Sequence, residues 1–305
     1  MKILVTGSTG FIGTALCQDL QRAGHTVCRL VRPGTATEKT RGADGFDVNW
    51  NPATGELGGA AVGADAVVNL AGASIADGRW TSQRKQLLLA SRVDTTRALV
   101  QALSKMAARP RVLVSASGIG YYGSCGDQVL TEESAPGQDF LSRLGQEWEA
   151  EAAKAEALGI RVVRARFGVI LAKHSGALPR MVRPFLWGVG GKIASGEQWM
   201  SWVTLQDVVA ILRFALENGA ARGVMNVVSP QPVRNAEFTK VLAKTLRRPA
   251  LFPAPAFALR LLLGEMADAL LLSTQRAMPA ALEKLGYRFL HPDLPSALAA
   301  VLGTA

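Results

Sequence analysis

The chain has 305 residues, of which 49 % are hydrophobic and 19 % charged, and its formal net charge is +10. This length and composition allow two compact domains or one large α/β domain with a well-buried core. The basic residues are scattered and aromatic residues make up only 6 % of the chain, so we expect no nucleic-acid partner.

Cysteine and histidine usage gives no sign of a disulfide framework or a metal site. Cys17, Cys28 and Cys125 form no C-x-x-C pair, and the three histidines are dispersed, so we expect free thiols and no metal. The N-terminal apolar run is too short for a signal peptide, and the apolar stretch 259–272 is too short and too charged to span a bilayer. We therefore expect a cytoplasmic protein with no membrane partner.

The first thirteen residues, MKILVTGSTGFIG, carry the most informative motif. The apolar run at residues 3–5 predicts a buried parallel strand, and apolar residues then resume at helical spacing from Phe11. The glycines between them predict a strand-to-helix turn that directs backbone N–H groups at one point and favours a phosphate. We expect this turn to bind a dinucleotide through Gly7, Ser8, Thr9, Gly10, Phe11, Ile12 and Gly13.

The second predicted strand, residues 26–31, ends at Val31-Arg32 without a carboxylate. An acidic residue at this point binds the ribose of NAD, whereas an arginine suits a 2′-phosphate. We therefore expect NADP(H) to be preferred over NAD(H), with Arg32 on the phosphate. A solvated arginine is the alternative. After the fourth strand, small residues predict a site for adenosine at Leu70, Ala71 and Gly72.

Strands and helices alternate as far as residue 170, which predicts a doubly wound parallel sheet. Further strands are predicted at 46–50, 64–70, 111–116 and 160–166, and helices at 81–107 and 139–158. Beyond residue 170 we predict helices at 177–186, 205–217 and 235–246, and strands at 199–203 and 224–228. We assign residues 1–170 to the dinucleotide-binding lobe, to which 198–228 returns, and 171–197 and 229–305 to a smaller substrate lobe.

Polar side chains at strand ends are candidates for chemistry, because strand carboxyl ends face the ligand crevice in such sheets. We predict Ser117 and Tyr122 as catalytic groups and Tyr121 as a substrate contact, with aromatic packing as the alternative for both tyrosines. We expect Arg92, Ser115, Phe167 and Gly168 beside the cofactor. Arg166 lies either near the cofactor or in a structural ion pair, and Glu149 and Glu151 are expected on a solvated helix face.

Three cations predict an anionic substrate. Arg180 and Arg183 are three residues apart on a predicted helix, and Lys192 follows on a glycine-rich loop. A phosphate or diphosphate would suit them, whereas solvated surface charges are the alternative. Trp202 is a further substrate candidate, with a place in the core as its alternative. The sequence leaves a homodimer open.

The quoted motifs resemble the extended short-chain dehydrogenase/reductase superfamily. The resemblance rests on Thr6-Gly7-x-x-Gly10-x-x-Gly13, Asn69-Leu70-Ala71-Gly72, Ser115 to Ser117, Tyr122-Gly123 and Thr131-Glu132. More narrowly, the chain is similar to an atypical, nucleoside-diphosphate-sugar epimerase-like branch, some of whose members carry a cell-division-inhibitor label. That similarity rests on Ser91-Arg92, Gly190-Gly191-Lys192 to Ser201-Trp202, and Pro249 to the end. It implies a Rossmann lobe, a C-terminal substrate lobe and a nicotinamide cofactor.

One departure from the superfamily concerns its Tyr-x-x-x-Lys pair, whose phenol serves as general acid/base. The chain has three tyrosines, and none is followed by lysine four residues later. The corresponding helix offers Phe140, Leu141, Leu144 and Gly145 instead. Three interpretations follow: an oxidoreductase or epimerase with another proton donor, a non-catalytic NADP(H) sensor or regulator, or unrelated chemistry on the same scaffold.

Overall fold

Residues 1–32 and 45–303 are described by a computed structural model. The strands are β1 (Lys2–Thr6), β2 (Thr26–Val31), β3 (Gly45–Asn51), β4 (Glu56–Leu57), β5 (Ala66–Asn69), β6 (Val112–Gly118), β7 (Val129–Leu130), β8 (Arg161–Phe167), β9 (Val169–Leu171), β10 (Trp199–Met200), β11 (Trp202–Thr204), β12 (Gly223–Val227), β13 (Val233–Arg234) and β14 (Arg276–Ala277). The helices are α1 (Phe11–Arg22), α2 (Ser82–Ala90), α3 (Val93–Ser104), α4 (Phe140–Ala153), α5 (Leu178–Leu186), α6 (Leu205–Glu217), α7 (Asn235–Leu246), α8 (Ala256–Leu263), α9 (Glu265–Ala267), α10 (Ala280–Lys284) and α11 (Leu294–Leu302).

The central sheet is parallel apart from one edge. Its strands follow the order β12-β8-β6-β5-β1-β2-β3-β4, and β4 pairs antiparallel with β3. The order reverses between β1 and β5, so the ligand crevice of such a sheet opens at the ends of these two strands. The predicted doubly wound Rossmann sheet is confirmed.

Helices cover both faces of this sheet. Leu16 and Leu20 of α1 pack with Leu212 of α6 in a core cluster on one face. Leu99 and Leu103 of α3 pack with other buried residues in a cluster on the opposite face. The strands between them are almost fully buried, which explains why their sequences are continuous apolar runs rather than alternating ones.

The smaller C-terminal part of the chain has a core cluster of its own. It is built from α5, α7 and α11 around the fully buried Trp202, with Phe185, Phe238 and Leu298 in contact. Strand β12 pairs with β8 at the edge of the main sheet. The division of the chain at residue 170 stays a prediction.

Two predicted elements and one long apolar stretch are interrupted in the structure. The helix predicted for residues 81–107 breaks between α2 and α3, because Ser91 and Arg92 donate side-chain hydrogen bonds to the Leu88 carbonyl. The strand predicted for 199–203 divides at Ser201, whose hydroxyl bonds to the backbone of residues 275 and 277. The apolar stretch 259–272 divides at Gly264, whose φ is +63°. No helix in the described ranges could cross a membrane.

Candidate functional site

The turn between β1 and α1 brings the backbone of three segments into close contact. Gly7 has a φ of +64°, and a Cβ at this position would lie 2.5 Å from the Leu70 carbonyl oxygen at the end of β5. A Cβ on Gly13 would collide with the Gly7 carbonyl. Glycine is therefore required at both positions, for conformation at Gly7 and for helix–strand packing at Gly13.

The same turn presents unused hydrogen-bond donors. Helix α1 begins after Gly10, and no side chain caps it. The N–H groups of its first turn consequently have no partner within the helix. The Ser8 hydroxyl is buried and has no hydrogen-bond partner in the described part of the chain. An anionic group such as a pyrophosphate would satisfy these donors, so the residues present fit a dinucleotide.

A buried polar network holds the two sides of the crevice together beneath this turn. The Thr6 hydroxyl donates to Asn69 Oδ1 at 2.7 Å and accepts from the N–H groups of Leu70 and Ala71. Asn69 Nδ2 donates to Thr96 at 2.8 Å and to Ser115 at 3.2 Å. Ser115 is 1 % exposed, so the predicted cofactor contact of its side chain is wrong. It supports the strand ends instead.

The segment 73–76, which follows the predicted adenosine site, is held by side chains at four successive carbonyls. These bonds are Arg92 to Ala73, Arg84 to Ser74, Trp80 to Ile75 and Arg180 to Ala76. Arg92 packs beside Gly72, and its guanidinium lies 5.3 Å from the centre of the Trp148 ring. Burial, and then the charge of Arg84, lowers the pKa of Arg92 to about 10. Neither Arg84 nor Arg92 forms an ion pair with a carboxylate of the described ranges.

A second buried network forms the floor of the crevice at the ends of β6 and β8. Arg166 donates from Nε to Glu149 Oε1 at 2.7 Å and from a terminal nitrogen to Oε2 at 2.8 Å. Burial opposes the arginine's charge, but the hydrogen bonds and charge of Glu149 outweigh it and raise the pKa of Arg166. The expectation of a solvated Glu149 is wrong, because β6 and β8 cover this face of α4. The ion-pair alternative for Arg166 is confirmed.

Both predicted catalytic hydroxyls belong to this network. Ser117 donates to Glu149 Oε1 at 2.6 Å. Tyr122 donates to Asn226 Oδ1 at 2.7 Å and accepts from Arg166 at 2.9 Å. The two side chains are 4 % and 1 % exposed, and burial raises the pKa of Tyr122 to about 12. Neither hydroxyl reaches a ligand in this arrangement, so their assignment as substrate-contacting catalytic groups is wrong.

Tyr121 is placed differently from its neighbour. It is half-buried, and the Arg166 guanidinium lies 3.4 Å from the centre of its ring. Its backbone and ring pack against Gly145 of α4, where a Cβ would come within 3.4 Å of Tyr121. Tyr121 therefore lies beside α4, the helix on which the sequence offers no Tyr-x-x-x-Lys pair.

The remaining predicted residues divide into buried and exposed groups. Trp202 is fully buried and donates its indole N–H to the Gln231 carbonyl, so the substrate prediction is wrong and its core alternative is correct. Glu151 is also buried and pairs with Arg97 and Lys154, which corrects its expected solvated position. Arg180 pairs with Asp77 at 2.9 Å, whereas Arg183 and Lys192 are exposed. Arg32, the residue after β2, is exposed. Phe167 is the last residue of β8, and Gly168 comes directly after it.

Comparison with known proteins places this architecture in a family. The model of the NAD dependent epimerase/dehydratase family matches residues 3–228, which is more than half of the chain. The chain belongs to this family. A second family model, a domain of unknown function (DUF1731), matches residues 254–301 of the same epimerase-family chain. The resemblance expected from the sequence motifs is confirmed.

Relatives within this epimerase family span nearly the whole chain. Epimerase family protein YfhF of Bacillus subtilis is 40 % identical over 303 residues, covering 99 % of this chain and 98 % of that protein. The crystal structure of human epimerase family protein SDR39U1 with NADPH has a TM-score of 0.88 and 33 % identity, and covers all of both chains. A Bacillus cereus UDP-glucuronic acid 4-epimerase with NAD has a TM-score of 0.78 at 19 % identity, which shows the shared fold, and the match covers 100 % of this chain and 98 % of that one.

Sequence inspection missed several polar residues that hold the epimerase-family site together. Thr6 and Asn69 belong to the quoted motifs without a predicted role of their own, although their hydrogen bond links β1 to β5. Asn226 belongs to none of the motifs, although it bonds to Tyr122 and to the Met278 carbonyl. A polar residue within an otherwise apolar strand was the available signal at Asn69 and Asn226.

Proposed function

We propose that this epimerase-family protein is an NADP(H)-dependent oxidoreductase or epimerase that acts on a nucleotide-sugar or a related anionic small molecule. The observation that carries the proposal is the turn at residues 7–13. There the N-terminus of α1, which has no side-chain cap, and the Ser8 hydroxyl, which has no partner among the described residues, face the switch point of the sheet. A pyrophosphate would accept hydrogen bonds from these donors. Leu70, Ala71 and Gly72 would then border the adenosine half of the cofactor.

The preference for NADP(H) rests on the end of β2. Val31-Arg32 provides a guanidinium where NAD-binding folds have a carboxylate, and Arg32 is exposed there. A planar guanidinium suits a 2′-phosphate better than a diol. The NADPH bound to human SDR39U1, at 33 % identity, supports the same preference.

When bound, the nicotinamide would accept or donate a hydride, and the protein has to supply the accompanying proton transfer. We assign that transfer to Tyr121, because the hydroxyls of Ser117 and Tyr122 are already bonded inside the protein. The Arg166 guanidinium lies 3.4 Å from the centre of the Tyr121 ring and fixes the position of that ring. Glu149 holds Arg166 in place and thereby positions Tyr121.

The charges around segment 73–76 support an anionic substrate. Arg84 and Arg92 lie close enough for one charge to lower the pKa of the other, and neither pairs with a carboxylate of the described ranges. A phosphate or carboxylate would relieve this repulsion. The match to a Corynebacterium glutamicum nucleoside-diphosphate sugar epimerase, at 34 % identity, a TM-score of 0.79 and coverage of 99 % of this chain and 58 % of that one, supports a nucleotide-sugar. Arg183 and Lys192 stay predicted substrate contacts.

The test has two stages that separate cofactor binding from catalysis. Thermal-shift titration with NADPH and NADH measures binding. The reduced nicotinamide's absorbance is then followed with carbonyl compounds and nucleotide-sugars, and nucleotide-sugar products are analysed for epimerisation. Tyr121→Phe is expected to abolish turnover while cofactor affinity changes less than about threefold. Turnover in Tyr121→Phe at the wild-type rate would refute Tyr121 as the proton carrier.

A non-catalytic NADP(H) sensor is the second candidate function. On the helix that carries the acid/base pair elsewhere in the superfamily, Phe140, Leu141 and Leu144 pack in an apolar cluster. NADPH binding without turnover of any compound in a broad panel would favour this candidate. An NADPH-dependent change in a partner's binding would then be its direct signature.

A further inference from the structure

Eight large hydrophobic side chains are exposed in two short segments, 186–189 and 251–262. Their exposure lies between 52 % and 75 %, and none of the eight residues of α8 is buried. Single exposed hydrophobic residues are normal on protein surfaces, but a cluster of this size marks an interaction site. We call the cluster the apolar surface; its members are Leu186, Trp187, Val189, Leu251, Phe252, Phe257, Leu261 and Leu262.

Backbone contacts join the two segments. The Phe252 N–H donates to the Gly190 carbonyl at 3.1 Å, and the Ala254 N–H donates to the Lys192 carbonyl at 2.9 Å. Helix α8 begins two residues after Ala254. Just beyond the C-terminal end of α8, Glu265 of α9 forms an ion pair with Lys85. The apolar surface therefore lies on an ordered part of the fold.

The two stretches of chain that carry the apolar surface are basic. Residues 175–196 and 238–264 contain no aspartate or glutamate. The basic residues of these two ranges are all exposed: Arg180, Arg183, Lys192, Lys240, Lys244, Arg247, Arg248 and Arg260. Arg180 and Arg260 pair with Asp77 and Asp268, and the other six form no ion pair with the described residues. The two stretches of chain that carry the apolar surface thus have a clear excess of exposed positive charge.

This combination favours one occupant. A second copy docking through the same surface would bring like charges together, which opposes association. Trp187 and the side chains of α8 protrude, and such aromatic and leucine side chains insert at a lipid–water boundary while cations bind anionic headgroups. We propose that the apolar surface docks onto a bilayer containing anionic lipid. The contact is peripheral, since no helix in the described residues could span a membrane.

Vesicle flotation of the full chain tests this proposal independently of any catalytic activity. The probes are vesicles of phosphatidylcholine alone and of phosphatidylcholine mixed with phosphatidylglycerol. We expect the protein to float with the mixed vesicles, to stay behind with the neutral ones, and to dissociate when salt is raised. The double variant Phe257→Ser with Leu261→Ser should bind at least tenfold more weakly, and Arg247→Gln with Arg248→Gln should bind severalfold more weakly.

A matched control is Leu290→Ser, which alters a leucine that is 59 % exposed outside the two segments. It should bind mixed vesicles like wild type, and circular dichroism should show that all variants fold. Equal binding by the Phe257/Leu261 variant, or no binding of wild type to mixed vesicles, would overturn the proposal. Concentration-dependent dimerisation that the same variant abolishes, without vesicle binding, would assign the surface to a second copy instead.

Discussion

Glu149 of α4 and Arg166 of β8 form a two-point ion pair with distances of 2.7 and 2.8 Å. Their side chains are 5 % and 3 % exposed, so the pair is closed off from water. Ser117 and Tyr122 complete the bonding on either side, and Tyr121 stacks on the guanidinium. The buried Glu149–Arg166 pair thus fixes the positions of all three acid/base candidates, Ser117, Tyr121 and Tyr122.

Removing one partner of this pair should be strongly destabilising, because it leaves an uncompensated buried charge. We expect Glu149→Gln to lower the free energy of unfolding by about 3–5 kcal/mol. The matched control is Glu151→Gln on the same helix, whose partners Arg97 and Lys154 are 44 % and 61 % exposed. Its cost should stay below about 1 kcal/mol. Urea unfolding measures both; equal costs would contradict the assigned importance of the buried pair.

Tyr122 should make stability depend on alkaline pH. Burial raises its folded-state pKa to about 12, against 10.0 for the free side chain. Because the folded state binds the proton more tightly, this contribution is complete below pH 10 and is lost as the pH rises toward 12. Two pKa units correspond to about 2–3 kcal/mol.

The measurement is urea unfolding of wild type and Tyr122→Phe across this pH range. The stability difference between the two proteins should shrink as the pH rises, since only wild type carries the phenol. Tyr287, whose pKa burial also raises, is present in both proteins and cancels. A difference that stays constant with pH would show that Tyr122 titrates normally.

Gly10 and Gly13 should respond differently to an added side chain. At Gly10 a Cβ would meet only the Gly7 carbonyl, at 3.1 Å, so Gly10→Val should fold while its side chain fills the pyrophosphate site. At Gly13 a Cβ would strike the Gly7 carbonyl and come within 2.8 Å of Ser8 Cα. Gly13→Ala should therefore lower stability by about 1–3 kcal/mol. Thermal unfolding with and without NADPH separates the effects, and wild-type NADPH affinity in Gly10→Val would disprove the assigned phosphate site.

Arg32 should account for discrimination between the two nicotinamide cofactors. Losing a charge-assisted contact of about 1.5–3 kcal/mol corresponds to a tenfold to hundredfold loss of NADPH affinity in Arg32→Ala. NADH lacks the 2′-phosphate, so its affinity should not change and serves as the control. Calorimetric titration of both cofactors decides the matter. Unchanged NADPH affinity in Arg32→Ala would show that another residue binds the 2′-phosphate.

The parallel sheet and the strand-to-helix turn could be predicted from the sequence because both depend on local requirements. Apolar runs of strand length mark β1 and its neighbours, and a positive φ at Gly7 requires a residue without a Cβ. The bounds of β2, α6 and α7 agree with those predicted from apolar spacing and flanking polar residues. Such signals lie within a few residues of the structure they specify.

The environment of Glu149 was decided only by the tertiary structure. From its position in the helix alone, Glu149 could face either water or a strand packed against α4. Its hydrogen-bond partners Ser117 and Arg166 lie 32 residues before it and 17 residues after it. The same holds for Tyr122, whose hydroxyl meets Asn226 at a separation of 104 residues. Local periodicity identifies a face of a helix, but the charge state and accessibility of a side chain depend on which distant elements pack against that face.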